Sequence, residues 1–213
     1  MNTRCPFRRL TAFPLLGLVV LVGCVGKVRY PTMYVLNLAP PSPRISHLSQ
    51  PIMGSLAVHT FRCPEYLCEG RIVYRPSPEE VGYYNFHRWA MSPSQSITQY
   101  MAEAVRGRSA FKGVTVDDSD VKAAYVLSGG IDRFEEVDQG QDVRALCTIS
   151  AQLVNAGTGS VVWSQTASQE IPVEKRDVAG VVDSLSLAAR ATVDRLIQSM
   201  TSKLASARAL HGR

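Results

Sequence analysis

The chain has 213 residues, 46% of them hydrophobic and 19% charged, a composition that fits a globular domain and excludes a disordered or collagen-like chain. Its net charge of +5 comes from 23 Lys and Arg residues against 18 Asp and Glu residues. The first 23 residues contain Arg4, Arg8 and Arg9 but no acidic residue, so the rest of the chain has 20 basic and 18 acidic residues. This near-neutral charge does not favour nucleic acid as a partner, because a nucleic-acid-binding domain is expected to carry a clustered basic face.

Residues 1–23 are predicted to be a lipoprotein signal peptide. A basic start precedes the apolar run 10–22, which as a helix would be roughly 20 Å long, shorter than the ~30 Å hydrocarbon core of a bilayer. Leu21-Val22-Gly23-Cys24 then resembles the bacterial lipobox, in which the cysteine receives a diacylglyceryl group and becomes the mature N-terminus. The alternative is an ordinary secretory signal with a cysteine there by chance.

Lipidation of Cys24 would tether the protein to a lipid bilayer with its domain in the periplasm. Each buried CH₂ of an acyl chain adds about 0.8 kcal/mol, so several chains anchor a protein stably. Val25 follows the cysteine. Because Asp at that position marks retention in the inner membrane in well-studied sorting, Val25 indicates the outer membrane.

The first part of the mature chain, residues 24–51, is predicted to hold the anchor, a short strand and a connector. Residues 30–38 are rich in β-forming side chains and predict an edge strand that can join the sheet of the main domain. Residues 39–51 carry four prolines and indicate a stiff connector.

The main domain is predicted at residues 52–202 and begins with strands. Residues 52–61 alternate as a half-buried strand does, and residues 71–75 and 81–90 flank a Pro-rich turn, which predicts a hairpin. Ser92 as N-cap, Pro93 and Gln95 predict the start of a helix that runs to about Ser109.

A second group of strands is predicted after this helix. Residues 113–116 suggest a short strand, and the acids at 117–120 a solvated turn, since they lack the glycine and distal Glu of a calcium loop. Residues 123–137, 143–155 and 160–171 predict a three-stranded antiparallel meander, with a bulge or sharp twist at Gly129 and Gly130.

A long amphipathic helix capped by Asp177 is predicted to close the domain. Its apolar stripe is expected to pack on the sheet, and residues 203–213 to form a frayed basic tail. The stripe comprises Val178, Val181, Val182, Leu185, Ala188, Ala189, Val193, Leu196 and Met200. The order of elements predicts an α+β fold, a mostly antiparallel or mixed sheet with two main helices packed on it.

Three cysteines remain in the domain. Cys63 and Cys68 are five residues apart, and either a disulfide, which an oxidising periplasm permits, or two free thiols fit this spacing. Closing so short a loop would stabilise the fold by roughly 2 kcal/mol. Cys147 lies on the apolar side of an alternating strand and is expected to be a small core residue.

The sequence contains no motif that predicts catalysis, a metal site or a cofactor. His87 stands among aromatic residues, where a packed or hydrogen-bonded side chain is the better interpretation than a catalytic base. No nucleophile elbow, phosphate loop or dinucleotide fingerprint is present.

Several segments together resemble the ABC-type transport auxiliary lipoprotein family, the group that includes the PqiC-like proteins. They are Tyr34-Val35-Leu36, Pro64-Glu65-Tyr66-Leu67, Ile72-Val73-Tyr74-Arg75, Tyr84-Asn85-Phe86-His87-Arg88-Trp89-Ala90, Phe111, Tyr125-Val126-Leu127-Ser128-Gly129-Gly130-Ile131 and Val162-Trp163-Ser164. The resemblance implies a non-catalytic component of an MCE-type ABC system that moves lipids or other apolar compounds across the periplasm. This chain would dock the MCE-domain protein at the outer membrane.

Tyr83, Tyr84, Phe86, Arg88 and Trp89 are the candidate partner contacts, because aromatic and arginine side chains are enriched at interface hot spots. Successive strand residues face opposite sides, so some of the five are expected to be exposed, to the MCE protein or to copies of the chain itself. The alternative is that the Pro-rich connector covers them. Two other functions stay open: an assembly lipoprotein for an outer-membrane secretion or export pore, and a membrane-tethered hydrolase.

Overall fold

The computed structural model describes residues 29–39, 53–116 and 123–211. By its contacts the chain divides into two units, Met1–Tyr30 and Pro31–Arg213, and every helix and strand below belongs to the second. Cys24 and the signal peptide, most of the connector and the acidic turn at 117–120 lie outside the described residues, so the statements about them stay predictions.

The described elements follow one another as strands, helix, strands, helix. They are β1 (Thr32–Tyr34), β2 (Met53–Val58), α1 (Glu65–Cys68), β3 (Arg71–Ser77), β4 (Glu80–Trp89), α2 (Pro93–Gly107), β5 (Phe111–Val116), β6 (Tyr125–Gln139), β7 (Asp142–Asn155), β8 (Val161–Pro172) and α3 (Val178–His211).

All eight strands form one mixed sheet around β6. One side of β6 pairs with β7, and β7 with β8, both antiparallel, which confirms the predicted meander. The other side of β6 is shared between β2, parallel to it near Leu127, and β3, parallel to it near Glu136. The α+β prediction is therefore confirmed, and the sheet is of the mixed kind.

The sheet is extended outward from β2 and β3. Strand β5 pairs parallel with β2, while β3 continues into the antiparallel hairpin with β4. The short strand β1 pairs parallel with β4 and forms the edge of the sheet. The edge strand predicted at residues 30–38 is thus present, but it is only three residues long, Thr32–Tyr34.

The single turn α1 was not predicted, since four residues are too few to show a helical period. It lies between β2 and β3, which both run parallel to β6 and pair with its first and second half. Just before it, Arg62 pairs with Gly130 of β6. The turn therefore carries the chain from the first half of β6 to the second.

Both long helices begin at the predicted caps. The side chain of Ser92 accepts a hydrogen bond from the Gln95 amide at 3.2 Å, with Pro93 in the first turn of α2. The Asp177 carboxylate accepts one from the Gly180 amide at 2.7 Å at the start of α3. Each cap satisfies an amide that has no partner within the helix.

The apolar stripe of α3 packs on β7 and β8, as predicted. Leu185, Val193 and Leu196 have no exposed surface. The helix extends to His211 rather than fraying from residue 203, because Leu204, four residues after Met200, continues the stripe into the core.

The register shift in β6 lies between Ile131 and Arg133, directly after Gly129 and Gly130, where a bulge or sharp twist was predicted. Gly129 has a different role. A Cβ at this position would lie 2.4 Å from the carbonyl oxygen of Ser150 on β7, so only glycine allows this close approach of the two strands.

Candidate functional site

The two faces of the sheet differ in chemistry. Along β7, Cys147, Ile149 and Leu153 are buried toward the helices, and Thr192 of α3 donates a hydrogen bond to the Cys147 carbonyl. The residues between them point to the opposite side, which we call the open face. In the described part of the chain, α3 packs on the other side of the sheet and α2 packs against α3, so the open face is the side that carries neither long helix.

Hydroxyl and amide side chains dominate the open face of β6, β7 and β8. They are Ser128, Thr148, Ser150, Gln152, Ser164, Thr166 and Ser168. Thr148 and Ser168 share a hydrogen bond of 2.8 Å across the strands, and so do Ser150 and Thr166. Such pairs keep the surface polar without leaving donors unsatisfied.

A groove of about 540 Å³ crosses this polar surface near the loop that precedes α1. Its walls include Arg62, Cys63, Asp132, Gln152 and Ser164. In the structure Cys63 is joined to Cys68 by a disulfide, with the two Cα atoms 6.0 Å apart. The bond spans α1 and fixes one rim of the groove; its formation in cells stays a prediction.

A second cavity, of about 630 Å³, lies at the other end of the open face, between the hairpin and the start of β7. Two residues of its wall, Arg75 and Arg133, form ion pairs at 3.0 Å and 2.6 Å with the carboxylate of Glu135, which has no exposed surface. The hydrogen bond to Glu135 raises the pKa of Arg75. Sequence reasoning missed this cluster, because Arg75 and Glu135 are 60 residues apart and no local pattern joins them.

The candidate partner contacts are divided between the two faces. Trp89 is buried and packs on Phe134, 5.9 Å between ring centres, so it belongs to the core. Tyr83 and Arg88 are half-buried, and Phe86 is exposed. Of the predicted set, only Phe86 is thus exposed, while Tyr83 and Arg88 are partly accessible.

Tyr84, the fifth candidate, is used inside the molecule. Its hydroxyl donates to the carboxylate of Glu136 at 2.6 Å. Burial, followed by this hydrogen bond, raises the pKa of Tyr84 well above its ordinary value. Burial also raises the pKa of Glu136, against the lowering effect of the Tyr84 hydroxyl. The pair links β4 to β6.

His87 continues this cluster to the edge of the sheet. Its Nδ1 lies 3.1 Å from the hydroxyl of Tyr34, and its ring packs edge-on against Tyr84. The expectation of a hydrogen-bonded, packed histidine matches these contacts. They hold β1 against β4.

The described residues contain no group of three or more His, Cys, Asp or Glu side chains placed to hold a metal ion. Cys147 is buried, and burial raises the pKa of its thiol to about 12, which disfavours the reactive thiolate. Among the described helices, none has the length and apolar character needed to cross a bilayer.

Solved structures show the same fold. The protein XCC0632 from Xanthomonas campestris aligns with a TM-score of 0.70 and 22% identity, over 81% of this chain and 95% of that one. The hypothetical protein CT253 from Chlamydia trachomatis aligns with a TM-score of 0.53 and 6% identity, over 72% of this chain and 99% of that one. At such identities the likeness concerns the fold alone. No match was found among curated proteins.

The family resemblance seen in the sequence is confirmed by a family match that runs from the end of β1 into α3. It covers residues 34–197, well over half of the chain, and its family is described as the ABC-type transport auxiliary lipoprotein component. The match thus includes β2 to β8, α1, α2 and the first part of α3. The chain therefore belongs to the family of ABC-type transport auxiliary lipoprotein components.

Proposed function

We propose that this protein is a non-catalytic lipoprotein component of an MCE-type ABC transport system that moves lipids or other apolar compounds across the periplasm. The observation that carries the proposal is the family match over residues 34–197. A transport auxiliary component makes or breaks no bond itself. Its task is to hold other subunits in place.

In this role the protein docks its MCE-domain partner at the outer membrane, to which Cys24 anchors it. The open face is the docking surface that the fold offers, since α2 and α3 occupy the other side of the sheet. Its side chains are polar and largely paired with one another, as in the Thr148–Ser168 and Ser150–Thr166 contacts. Because these hydroxyl groups already pair with one another, a partner that covers them leaves none of them without a hydrogen bond.

The test is a pull-down of the tagged lipoprotein from cells that express the transport system. Wild type is compared with Ser164→Arg, which places a charged side chain at the exposed rim of the groove. Gln198→Arg is the matched control, because it adds the same charge at an exposed position on α3. We expect wild type and Gln198→Arg to recover the MCE protein and Ser164→Arg to recover much less, since an unpaired buried charge costs several kcal/mol.

Equal recovery by all three proteins would remove the open face as the docking surface. Recovery of a secretion or export pore in place of an MCE protein would contradict the transport role. Turnover of an ester or glycoside substrate by the purified protein would contradict the non-catalytic role.

A further inference from the structure

Exposed apolar side chains are concentrated at one edge of the sheet. Of eight large hydrophobic side chains that are exposed among the described residues, four lie on β1 and β4 or directly after them. Their exposed fractions are 54% for Met33, 65% for Val35, 44% for Phe86 and 40% for Met91. The backbone joins the two segments, because the amide of Ala90 donates to the Tyr34 carbonyl at 2.8 Å.

Met33 and Phe86 point to the same side of this edge. Tyr34 pairs with the buried Trp89, so it lies on the helix side of the sheet, and His87 contacts Tyr34 on that side. Neighbouring strand residues face opposite sides, so Met33, directly before Tyr34, and Phe86, directly before His87, face the open side. Met33 and Phe86 therefore continue the open face with an apolar surface that differs in chemistry from its hydroxyl-rich centre.

Two arginines complete the group. In the sheet register Arg88 lies beside Met33 on one side and Arg71 on the other. The guanidinium of Arg71 lies 5.0 Å from the ring centre of Tyr83, and that of Arg88 donates to the Tyr84 and His87 carbonyls. The ion pairs found among the described residues include neither arginine.

We call Met33, Val35, Phe86, Met91, Arg71 and Arg88 the edge patch. Aromatic and apolar side chains interspersed with arginines are the composition of surfaces that lie in the headgroup region of a membrane. Glu69, two residues before Arg71, offsets part of the positive charge. Apolar contact therefore contributes more to the affinity of the edge patch for a membrane than attraction of its arginines to anionic headgroups does.

The position of the edge patch in the chain identifies what covers it. Met33 lies nine positions after Cys24, and even a fully extended chain over those nine steps reaches only about 32 Å. A surface this close to a lipid anchor meets the bilayer at a high effective concentration, on the order of millimolar for a short linker. A weak intrinsic affinity of the edge patch for lipid is then sufficient to keep it in contact with the bilayer.

We propose that the edge patch lies against the bilayer in which Cys24 is anchored. Met33 and Phe86 enter the headgroup region, and Arg71 and Arg88 face lipid phosphates. This rests on the acylation of Cys24 included in the proposed function. It assigns Phe86 and Arg88 to lipid rather than to the MCE protein, and leaves the hydroxyl-rich centre of the open face to protein partners.

The test uses the full acylated protein in vesicles of phosphatidylethanolamine and phosphatidylglycerol, some of which contain a doxyl-labelled lipid as quencher. A fluorescent label is attached at Met33→Cys or, in a second variant, at Phe86→Cys. Val161→Cys is the matched control, since Val161 is 56% exposed but lies at the start of β8. Circular dichroism verifies that each variant is folded, and flotation verifies that it is anchored.

We expect labels at Met33 and Phe86 to be quenched by the lipid and the label at Val161 not to be. Arg71→Gln and Arg88→Gln should each weaken the contact by up to about fivefold, and only in vesicles with phosphatidylglycerol. Equal quenching at all three sites in floated protein would overturn the proposal and leave the transport role intact. Failure of the full protein to float with the vesicles would contradict the acylation of Cys24 and, with it, the proposal. Protection of Met33 by added MCE protein, without lipid quenching, would make the patch a protein interface.

Discussion

Glu136 is a carboxylate that is almost fully buried and accepts a hydrogen bond from the hydroxyl of Tyr84. Burial and the nearby charge of Asp138 both favour its protonated form, while the Tyr84 hydroxyl favours the ionised form. Burial is the largest of these effects, so the pKa of Glu136 is raised above its ordinary value of 4.5. The folded protein then holds this proton at pH values where the unfolded chain has released it.

This difference predicts how stability changes with pH. As pH rises from 4.5 through the raised pKa of Glu136, a buried group must ionise in the folded state, so its contribution to stability falls. Glu136→Gln keeps an acceptor for Tyr84 and removes the ionisation. We therefore expect the variant to gain stability relative to wild type between pH 4.5 and neutrality, measured by urea unfolding of the chain from residue 25. Glu103→Gln, at an exposed position on α2, controls for loss of one negative charge, and an equal gain there would contradict the assignment.

The Cys63–Cys68 pair is the second prediction at this scale. Reduction, or Cys63→Ser with Cys68→Ser, should lower the free energy of unfolding by about 2 kcal/mol, because the unfolded chain gains the freedom of the opened loop. Alkylation of protein taken from the periplasm, followed by mass spectrometry, determines whether the bond forms in cells. Both thiols reacting before reduction would reject the pairing.

At the scale of elements, α3 offers a controlled comparison of buried and exposed leucine. Leu185 has no exposed surface, whereas Leu187, two residues later, is 45% exposed. Leu185→Ala should lower the free energy of unfolding by about 2–5 kcal/mol, from lost transfer energy and the cavity left behind. Leu187→Ala changes helix propensity equally and should stay within about 0.5 kcal/mol, the range of surface substitutions. Similar losses for the two variants in urea melts would contradict the packing of α3 on the sheet.

The elements could be predicted where their signals are local. Examples are the alternation along β7, the cap at Ser92 and the stripe that contains Leu185. Each of these signals is formed by residues close together in the sequence. The parallel pairings could not be predicted, because β2 and β6 are joined by contacts such as Leu56 with Tyr125, far apart in the chain. Their register depends on the whole sheet rather than on any one segment.

The same limit applies to the candidate site. Alternation predicts that some aromatic residues of β4 are exposed, but the register shift between Arg71 and Val73 changes the pairing partners along the hairpin. It places Tyr84 and His87, three residues apart, in one cluster. Which rings face outward therefore follows from the irregular pairing of β3 with β4 and not from their sequence.

For the whole molecule, the sheet joins two surfaces of different character. Its β1 edge is the part of the sheet nearest in sequence to the anchor, and its hydroxyl-rich centre lies on β6, β7 and β8. The Tyr34–His87 and Tyr84–Glu136 hydrogen bonds connect them across β4. With the β1 edge against the bilayer, as we propose, a partner docked on the centre would be held at a fixed position relative to the membrane.

Acylation of Cys24 is the condition on which this arrangement depends. Cys24→Ala should abolish incorporation of labelled fatty acid and leave the signal peptide uncleaved, because the modified cysteine itself becomes the new N-terminus. Cys5→Ala is the matched control, since Cys5 lies in the basic start of the signal and should be processed and labelled as wild type. Labelling that persists in Cys24→Ala would contradict the lipobox and, with it, the close approach of the β1 edge to the bilayer.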